Sequence, residues 1–116
     1  MTSILRPATA ADLKAFYGDK PRPTVRAIVG VVDGVPLGVA GISYERGQLM
    51  LFSDLKPEGR KYRKAIVKAA RMVLEMAKGI PILALAEHPS SCRFLTRLGF
   101  TYIGSSPAGE VFRWVH

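Results

Sequence analysis

Apolar residues at Tyr62, Ala65, Ile66, Ala69, Val73, Met76 and Ala77 recur at intervals of three and four. That period predicts a helix with one buried face. Lys61, Lys64, Lys68, Arg71 and Lys78 fall on the opposite side, and Gly79, with Pro81 just beyond, supplies a stop. The preceding strand ends in Leu51-Phe52-Ser53-Asp54-Leu55, and the loop Lys56-Pro57-Glu58-Gly59-Arg60-Lys61 joins the two.

The remaining pattern is read in the same way. Residues 4–7 predict a short strand, and Thr9 or Ala10 leads into a two-turn helix over residues 11–17, with Leu13, Phe16 and Tyr17 on one face. Gly18-Asp19-Lys20-Pro21-Arg22-Pro23 breaks it with a stiff, basic connector. Residues 25–32 are rich in β-branched side chains, and Asp33-Gly34 is a two-residue hairpin turn of the type that requires positive φ at both positions. The return strand covers residues 35–44, with Gly34, Gly38 and Gly41 leaving room for a close neighbour on one face. Glu45-Arg46-Gly47 then turns into the strand 48–55.

Residues 80–86 are apolar throughout, which predicts a central strand covered on both faces. Glu87-His88-Pro89-Ser90-Ser91 opens a helix with Ser90 or His88 near the cap and Pro89 in the first turn; Phe94, Leu95 and Leu98 form its buried side and Gly99 ends it. Residues 100–105 and 111–115 are the last strands, joined by Ser106-Pro107-Ala108-Gly109, with Phe112 and Trp114 alternating with Arg113. The order β-α-β-β-β-α-β-α-β-β predicts one α/β (α+β) domain over residues 1–116.

Composition narrows the class. At 116 residues, 48% hydrophobic and 22% charged, the chain has the profile of a globular domain with a sizeable core. No apolar run is long enough for a membrane span, and the N-terminus lacks the pattern of a signal peptide, so a cytoplasmic protein without membrane contact is expected. A lone cysteine, Cys92, excludes an internal disulfide and a cysteine-rich zinc site, and with two histidines, one of them the terminal His116, no metal site is expected. The net charge of +8 is the unusual total, and it points to a polyanion: nucleic acid, an acidic membrane or a phosphorylated cofactor. The strand, basic loop and helix start around Arg60, Lys61, Arg63 and Lys64 have the makings of a phosphate site, because first-turn amides lack intrahelical partners and the helix dipole adds positive charge. The alternative is a solvated basic face on an ordinary amphipathic helix.

The element order, together with four local segments, resembles the GNAT superfamily of acyl-CoA-dependent N-acyltransferases across nearly the whole chain. Arg6-Pro7-Ala8-Thr9-Ala10-Ala11-Asp12 is similar to the family's opening strand and first turn, and Asp33-Gly34-Val35-Pro36-Leu37-Gly38-Val39-Ala40-Gly41 to its second-to-third strand hairpin. Leu55-Lys56-Pro57-Glu58 is similar to the strand end before the cofactor loop, and Phe94-Leu95-Thr96-Arg97-Leu98-Gly99-Phe100 to the last helix and its Gly-Phe exit. The resemblance implies a mixed, mostly antiparallel sheet. It also implies acetyl-CoA, or another acyl-CoA, as co-substrate in a V-shaped gap between the strands ending at Leu55 and Glu87.

In that reading Phe52 and Leu55 contact the cofactor, with backbone amides around residues 52–55 polarising the thioester carbonyl; Arg60, Lys61, Tyr62, Arg63, Lys64 and Ala65 form the cofactor loop, and the pyrophosphate rests on residues 60–64. His88 stands where the family often has an asparagine on the pantetheine arm; helix capping is its simpler role. Two positions depart from the family pattern: Arg63 replaces the first loop glycine, and Leu95 replaces the tyrosine that protonates the departing thiolate. Tyr62, Tyr102, Cys92 and Ser91 are the substitutes the chain offers as acid. Asp54 and Glu87, at the strand ends, are the candidate catalytic bases, with Glu45 in a turn less well placed.

Two functions follow as expectations. One is an N-acyltransferase passing an acetyl or acyl group directly to a small-molecule or peptide amine, with a homodimer supplying the walls that so short a chain lacks. The other is a non-catalytic protein of the same fold, such as a phage-encoded accessory protein, that binds nucleic acid or an acidic protein through its basic face.

Overall fold

The computed structural model describes residues 3–19, 26–45 and 47–115. Lys20, Pro21, Arg22 and Pro23 of the basic connector, Val25, Arg46 and His116 lie outside the described residues. The elements are β1 (Ser3–Pro7), α1 (Ala10–Tyr17), β2 (Arg26–Val32), β3 (Val35–Glu45), β4 (Gln48–Leu55), a 3-10 turn (Pro57–Tyr62), α2 (Arg63–Met76), β5 (Ile82–Ala86), α3 (Pro89–Leu98), β6 (Thr101–Ser106) and β7 (Gly109–Trp114). Seven strands form one sheet in the order β1-β2-β3-β4-β5-β7-β6, antiparallel throughout except for the parallel β4–β5 pair. This is the predicted element order and the predicted mixed, mostly antiparallel sheet.

The local signals act as their chemistry requires. Asp33 and Gly34 both take positive φ, 50° and 82°, as a primed hairpin turn demands. Gly99 ends α3 in the left-handed conformation, which lets the Phe100 amide donate to the Leu95 carbonyl at 3.0 Å and drops Phe100 into the core. Leu95 and Leu98 are buried, and so are Phe112 and Trp114 with the intervening Arg113 exposed.

Two hydrophobic layers hold the sheet. α2 and α3 cover one face, where Ile28, Ala40, Ile42, Ala69, Val73 and Ile82 are almost completely buried. On the other face Phe16 of α1, flanked by Leu13 and Tyr17, packs on Val29, Val31, Val39 and Phe52. α1 has only eight residues, about 12 Å of helix, and its cluster involves β2, β3 and β4 but not β5.

Two corrections concern β5: it begins at Ile82, not Ile80, and, with that short helix packed elsewhere, it is not covered on both faces, since Leu85 is 41% exposed. The strand glycines also differ from expectation. Gly38 and Gly41 face opposite sides: a Cβ on Gly38 would meet Ile66 of α2, and one on Gly41 would stand 2.7 Å from the Phe52 ring. Met76, expected on the buried face of α2, is exposed at the helix's last turn. Finally, the segment before α2 is a 3-10 turn from Pro57 to Tyr62 and not an irregular loop.

α1 is anchored at its start. Thr9 caps it with a reciprocal box in which its hydroxyl accepts from the Asp12 amide and the Asp12 carboxylate accepts from the Thr9 amide. Arg6 of β1 donates to the same carboxylate, one bond measuring 2.9 Å. The Arg6 hydrogen bonds, helped by those of Thr9, outweigh the burial of Asp12 and hold its carboxyl down at about 2. With the unfolded value near 3.8, the stabilisation is complete above about pH 4 and is lost as pH falls toward 2. Asp12→Asn is expected to cost on the order of 1–2 kcal/mol at neutral pH. It should also flatten the acid limb of a stability–pH curve below pH 4, as measured by urea melts at several pH values.

Candidate active site

β4 is paired with β3 over its whole length, from Gln48 opposite Glu45 to Leu55 opposite Gly38. β5 is paired with β7 over its five residues. Between β4 and β5 the ladder is a single pair, Met50 with Leu83. Beyond it the two strands diverge, and no further β4–β5 pair forms.

A cavity of about 550 Å³ fills this divergence. Its β4 wall is residues 50–54, its β5 wall is Ala84, Leu85, Glu87 and His88, and the first turns of α3 add Ser91, Phe94 and Leu95. Leu51 packs in the α2 layer and Phe52 in the α1 layer, so the opening reaches both faces of the sheet.

Asp54 and Glu87, the two acids singled out from the sequence, line the same cavity from opposite strands. Asp54 accepts a hydrogen bond of 2.6 Å from the Tyr17 hydroxyl at the end of α1, and Tyr17 is steadied by edge-on packing against Phe16. Glu45 belongs with them: it is the last residue of β3, it lines the cavity, and it accepts from the buried Ser43 hydroxyl at 3.3 Å. Strand alternation would have found Glu45 had the strand been extended by one residue. Tyr17 lies thirty-seven positions from Asp54, and no local signal connects them.

His88 is the N-cap residue of α3 and lines the cavity. Its carbonyl accepts from the Ser91 and Cys92 amides, at 3.0 and 3.2 Å, while its side chain makes no capping bond. Of the four proton-bearing side chains considered for the thiolate, Ser91 alone lines the cavity. Cys92 packs against the α2-side core. Tyr62 lines a narrow crevice between α2 and strands β1–β3. Tyr102 is exposed on the outermost strand, bonded to Ser105, which in turn donates to Glu110. Leu95 is buried in the cavity wall.

The cationic turn lies just past the end of β4. Arg60, Lys61, Arg63 and Lys64 are exposed, whereas Tyr62 and Ala65 turn toward the sheet with Leu55 and Ile66. The side chain of Arg63 folds outward along the turn, its Nε donating to the Arg60 carbonyl at 3.1 Å. Lys61 rests over the Tyr62 ring and Lys56 over Phe16. α2 starts with no side-chain cap and no acid in its first turn, so its positive end is answered by no carboxylate of its own. These features fit a phosphate group. Among the described residues no group of three His, Cys, Asp or Glu could hold a metal ion.

Neither a protein-family sequence model nor any curated protein sequence matches the chain. Its fold does match solved structures. An N-acetyltransferase from Staphylococcus aureus superposes with a TM-score of 0.70 at 13% identity, over 99% of this chain and 99% of that one. The PaiA N-acetyltransferase from Thermoplasma acidophilum, in complex with coenzyme A, gives 0.68 at 12% identity over the full length of both. The ribosomal-protein-S18-alanine N-acetyltransferase from Escherichia coli gives 0.64 at 13% identity, over 97% of this chain and 91% of that one. The chain therefore has the fold of the GNAT acetyltransferases.

The rim of the cavity depends on a close backbone approach. Gly109 opens β7 with φ of 144°, and a Cβ there would stand 2.7 Å from the Ala86 carbonyl oxygen, next to Glu87. Gly109→Ala is expected to cost about 1–3 kcal/mol, read as a lowered thermal midpoint, and to shift the amide resonances of Ala86, Glu87 and His88.

Proposed function

We propose that the protein is an N-acyltransferase that moves an acetyl or other acyl group from its coenzyme A thioester to an amine. The observation that carries this reading is the β4–β5 gap: a cavity between two diverging strands, walled by carboxylates, with a cationic helix start beyond the end of β4. The structures of like fold support it.

Each part of the chain has a task in this reading. Arg60, Lys61, Arg63 and Lys64 hold the pyrophosphate at the start of α2, where forked guanidinium donors and the positive end of the helix dipole both favour anions. The open backbone edge of β4 offers peptide-like hydrogen bonds to the pantetheine amides. An amide near Phe52 or Leu55 polarises the thioester carbonyl and takes up the charge that develops on its oxygen. His88, on the opposite wall, contacts the same arm.

Glu45, Asp54 and Glu87 draw a positively charged amine into the gap. Asp54 or Glu87, directly or through water, removes the ammonium proton, so that the free amine attacks the thioester carbon with no covalent enzyme intermediate. The C–S bond breaks, and the proton that the attacking nitrogen gives up passes to the departing sulfur, relayed through the Ser91 hydroxyl or water, since Leu95 has none to offer. Tyr17 fixes the rotamer of Asp54 and so acts as a positioning residue.

Calorimetric titration with acetyl-CoA should give saturable one-site binding that Arg60→Glu weakens by about tenfold or more at low salt; no heat at millimolar ligand would remove the reading. Among the acids, loss of the true base should lower kcat by about 10²–10⁴-fold. Asp54→Asn and Glu87→Gln, assayed for thiol release against a panel of amines, distinguish the two candidates. If neither substitution lowers the rate, Asp54 and Glu87 are both ruled out as the base.

A further inference from the structure

The net charge of the chain is concentrated in one layer. Residues 56–78 together with α3 hold ten of the seventeen Lys and Arg residues but two of the nine Asp and Glu residues, and elsewhere the two kinds balance. The excess of +8 thus sits on the layer made by the 3-10 turn, α2 and α3. Lys68, Arg71, Lys78, Arg93 and Arg97 are exposed there. Among the described residues no ion pair joins any of them to a carboxylate.

This layer has a receptor-like feature away from the candidate active site. A groove of about 350 Å³ runs between the second half of α2 and the end of α3. Leu74, Leu98 and Trp114 line it, all nearly buried, and Arg71, Lys78 and Arg97 rim it with Glu75. Trp114 pairs with Ile82 at the start of β5, while the acyl cavity opens at the other end of that strand, about 13 Å away along its length. The two sites share no lining residue.

The shape of the groove selects among polyanions. A lipid surface is bound by apolar side chains that project past the cations; here the apolar groups are recessed below them, and the exposed Met76 and Ile80 are too few to anchor the chain. An acidic peptide would satisfy the cations, but its backbone does not set a planar ring between two anionic groups at every unit as a nucleotide strand does. A duplex keeps its bases stacked and offers phosphate alone. A single strand offers both parts: an unstacked base for an apolar, aromatic floor, and phosphates on each side for the cationic rim.

We propose that the α2–α3 groove binds single-stranded nucleic acid, one base against Leu74, Leu98 and Trp114 and its neighbouring phosphates on Arg71, Lys78 and Arg97. The strand continues along Lys68 and Arg93. This assignment is independent of the acyltransferase reading, because it uses none of the residues assigned to acyl-CoA or amine.

The test uses a fluorescein-labelled 20-nucleotide thymidine strand, followed by anisotropy at several salt concentrations, with the emission of Trp114, the sole tryptophan, as a second readout. Expected are binding that weakens with salt at a log–log slope of about −0.7 per phosphate contacted, and a change in Trp114 emission at saturation. Arg71→Glu/Arg97→Glu should weaken binding by about tenfold or more and remove the emission change, with Arg71→Gln/Arg97→Gln intermediate. Lys14→Glu/Arg26→Glu, the same charge change off this layer, should leave affinity within about threefold. Thermal melts of each variant confirm that the fold is retained. The proposal is overturned if the strand does not bind, if a duplex of equal length binds as tightly, or if the groove variants bind as the parent does. It is equally overturned if Trp114 emission does not respond, or if anionic phospholipid vesicles or polyglutamate compete on equal terms.

Discussion

The parallel join between β4 and β5 is the constraint on which the rest of the molecule turns. Each strand has a stronger antiparallel partner, β3 for β4 and β7 for β5, and the two meet only at Met50 and Leu83. Two halves of a sheet, each internally registered, are therefore hinged at one pair and separate beyond it. Divergence ends the ladder in the middle of a sheet, where losing strand pairing is costly. The core on the α2 side makes that cost bearable: Ala69, Val73, Ile82 and Ala84 bridge the halves beneath the gap.

Electrostatics follow the same division. The gap carries Glu45, Asp54 and Glu87, whereas the helical layer behind it carries the entire excess of positive charge. A chain that is strongly basic overall thus presents an acidic opening on a basic body. Opposite ligands can be received a short distance apart because each field is set by the nearest groups, and more distant charges are screened over about 8–10 Å. Net charge alone suggests a uniform affinity for polyanions. The spatial arrangement confines the excess charge to one layer.

α1 links the sheet edge to the site. Arg6 and Thr9 fasten its first turn through Asp12, and its last residue, Tyr17, reaches Asp54 on β4. Eight residues of helix so connect β1, at the sheet's edge, to the wall of the cavity. The capping box is written in the sequence, Thr9 with an acid three positions on, whereas the long-range bond to Asp54 is not.

Much of this fold is legible one residue at a time, because its signals are local. Asp33-Gly34 accepts positive φ wherever it stands, Gly99 must leave the helix it ends, and a three-and-four spacing puts Ala69 and Val73 on one face whatever covers them. Length, element order, net charge and the acids at the strand ends come from the sequence by that route, and the four local resemblances carry the topology of the sheet. Tertiary structure decided what depends on distant partners. Leu85 is apolar like its neighbours yet exposed, because α1 is too short to reach β5, and Met76 keeps the helical period but projects past the edge of the core. Glu45 joins Asp54 and Glu87, and Trp114 floors a groove rimmed by Arg71 and Arg97, because strands and helices far apart in the chain end at the same place. Local propensity is a property of adjacent residues, whereas a site is an agreement among distant ones, and only packing supplies it.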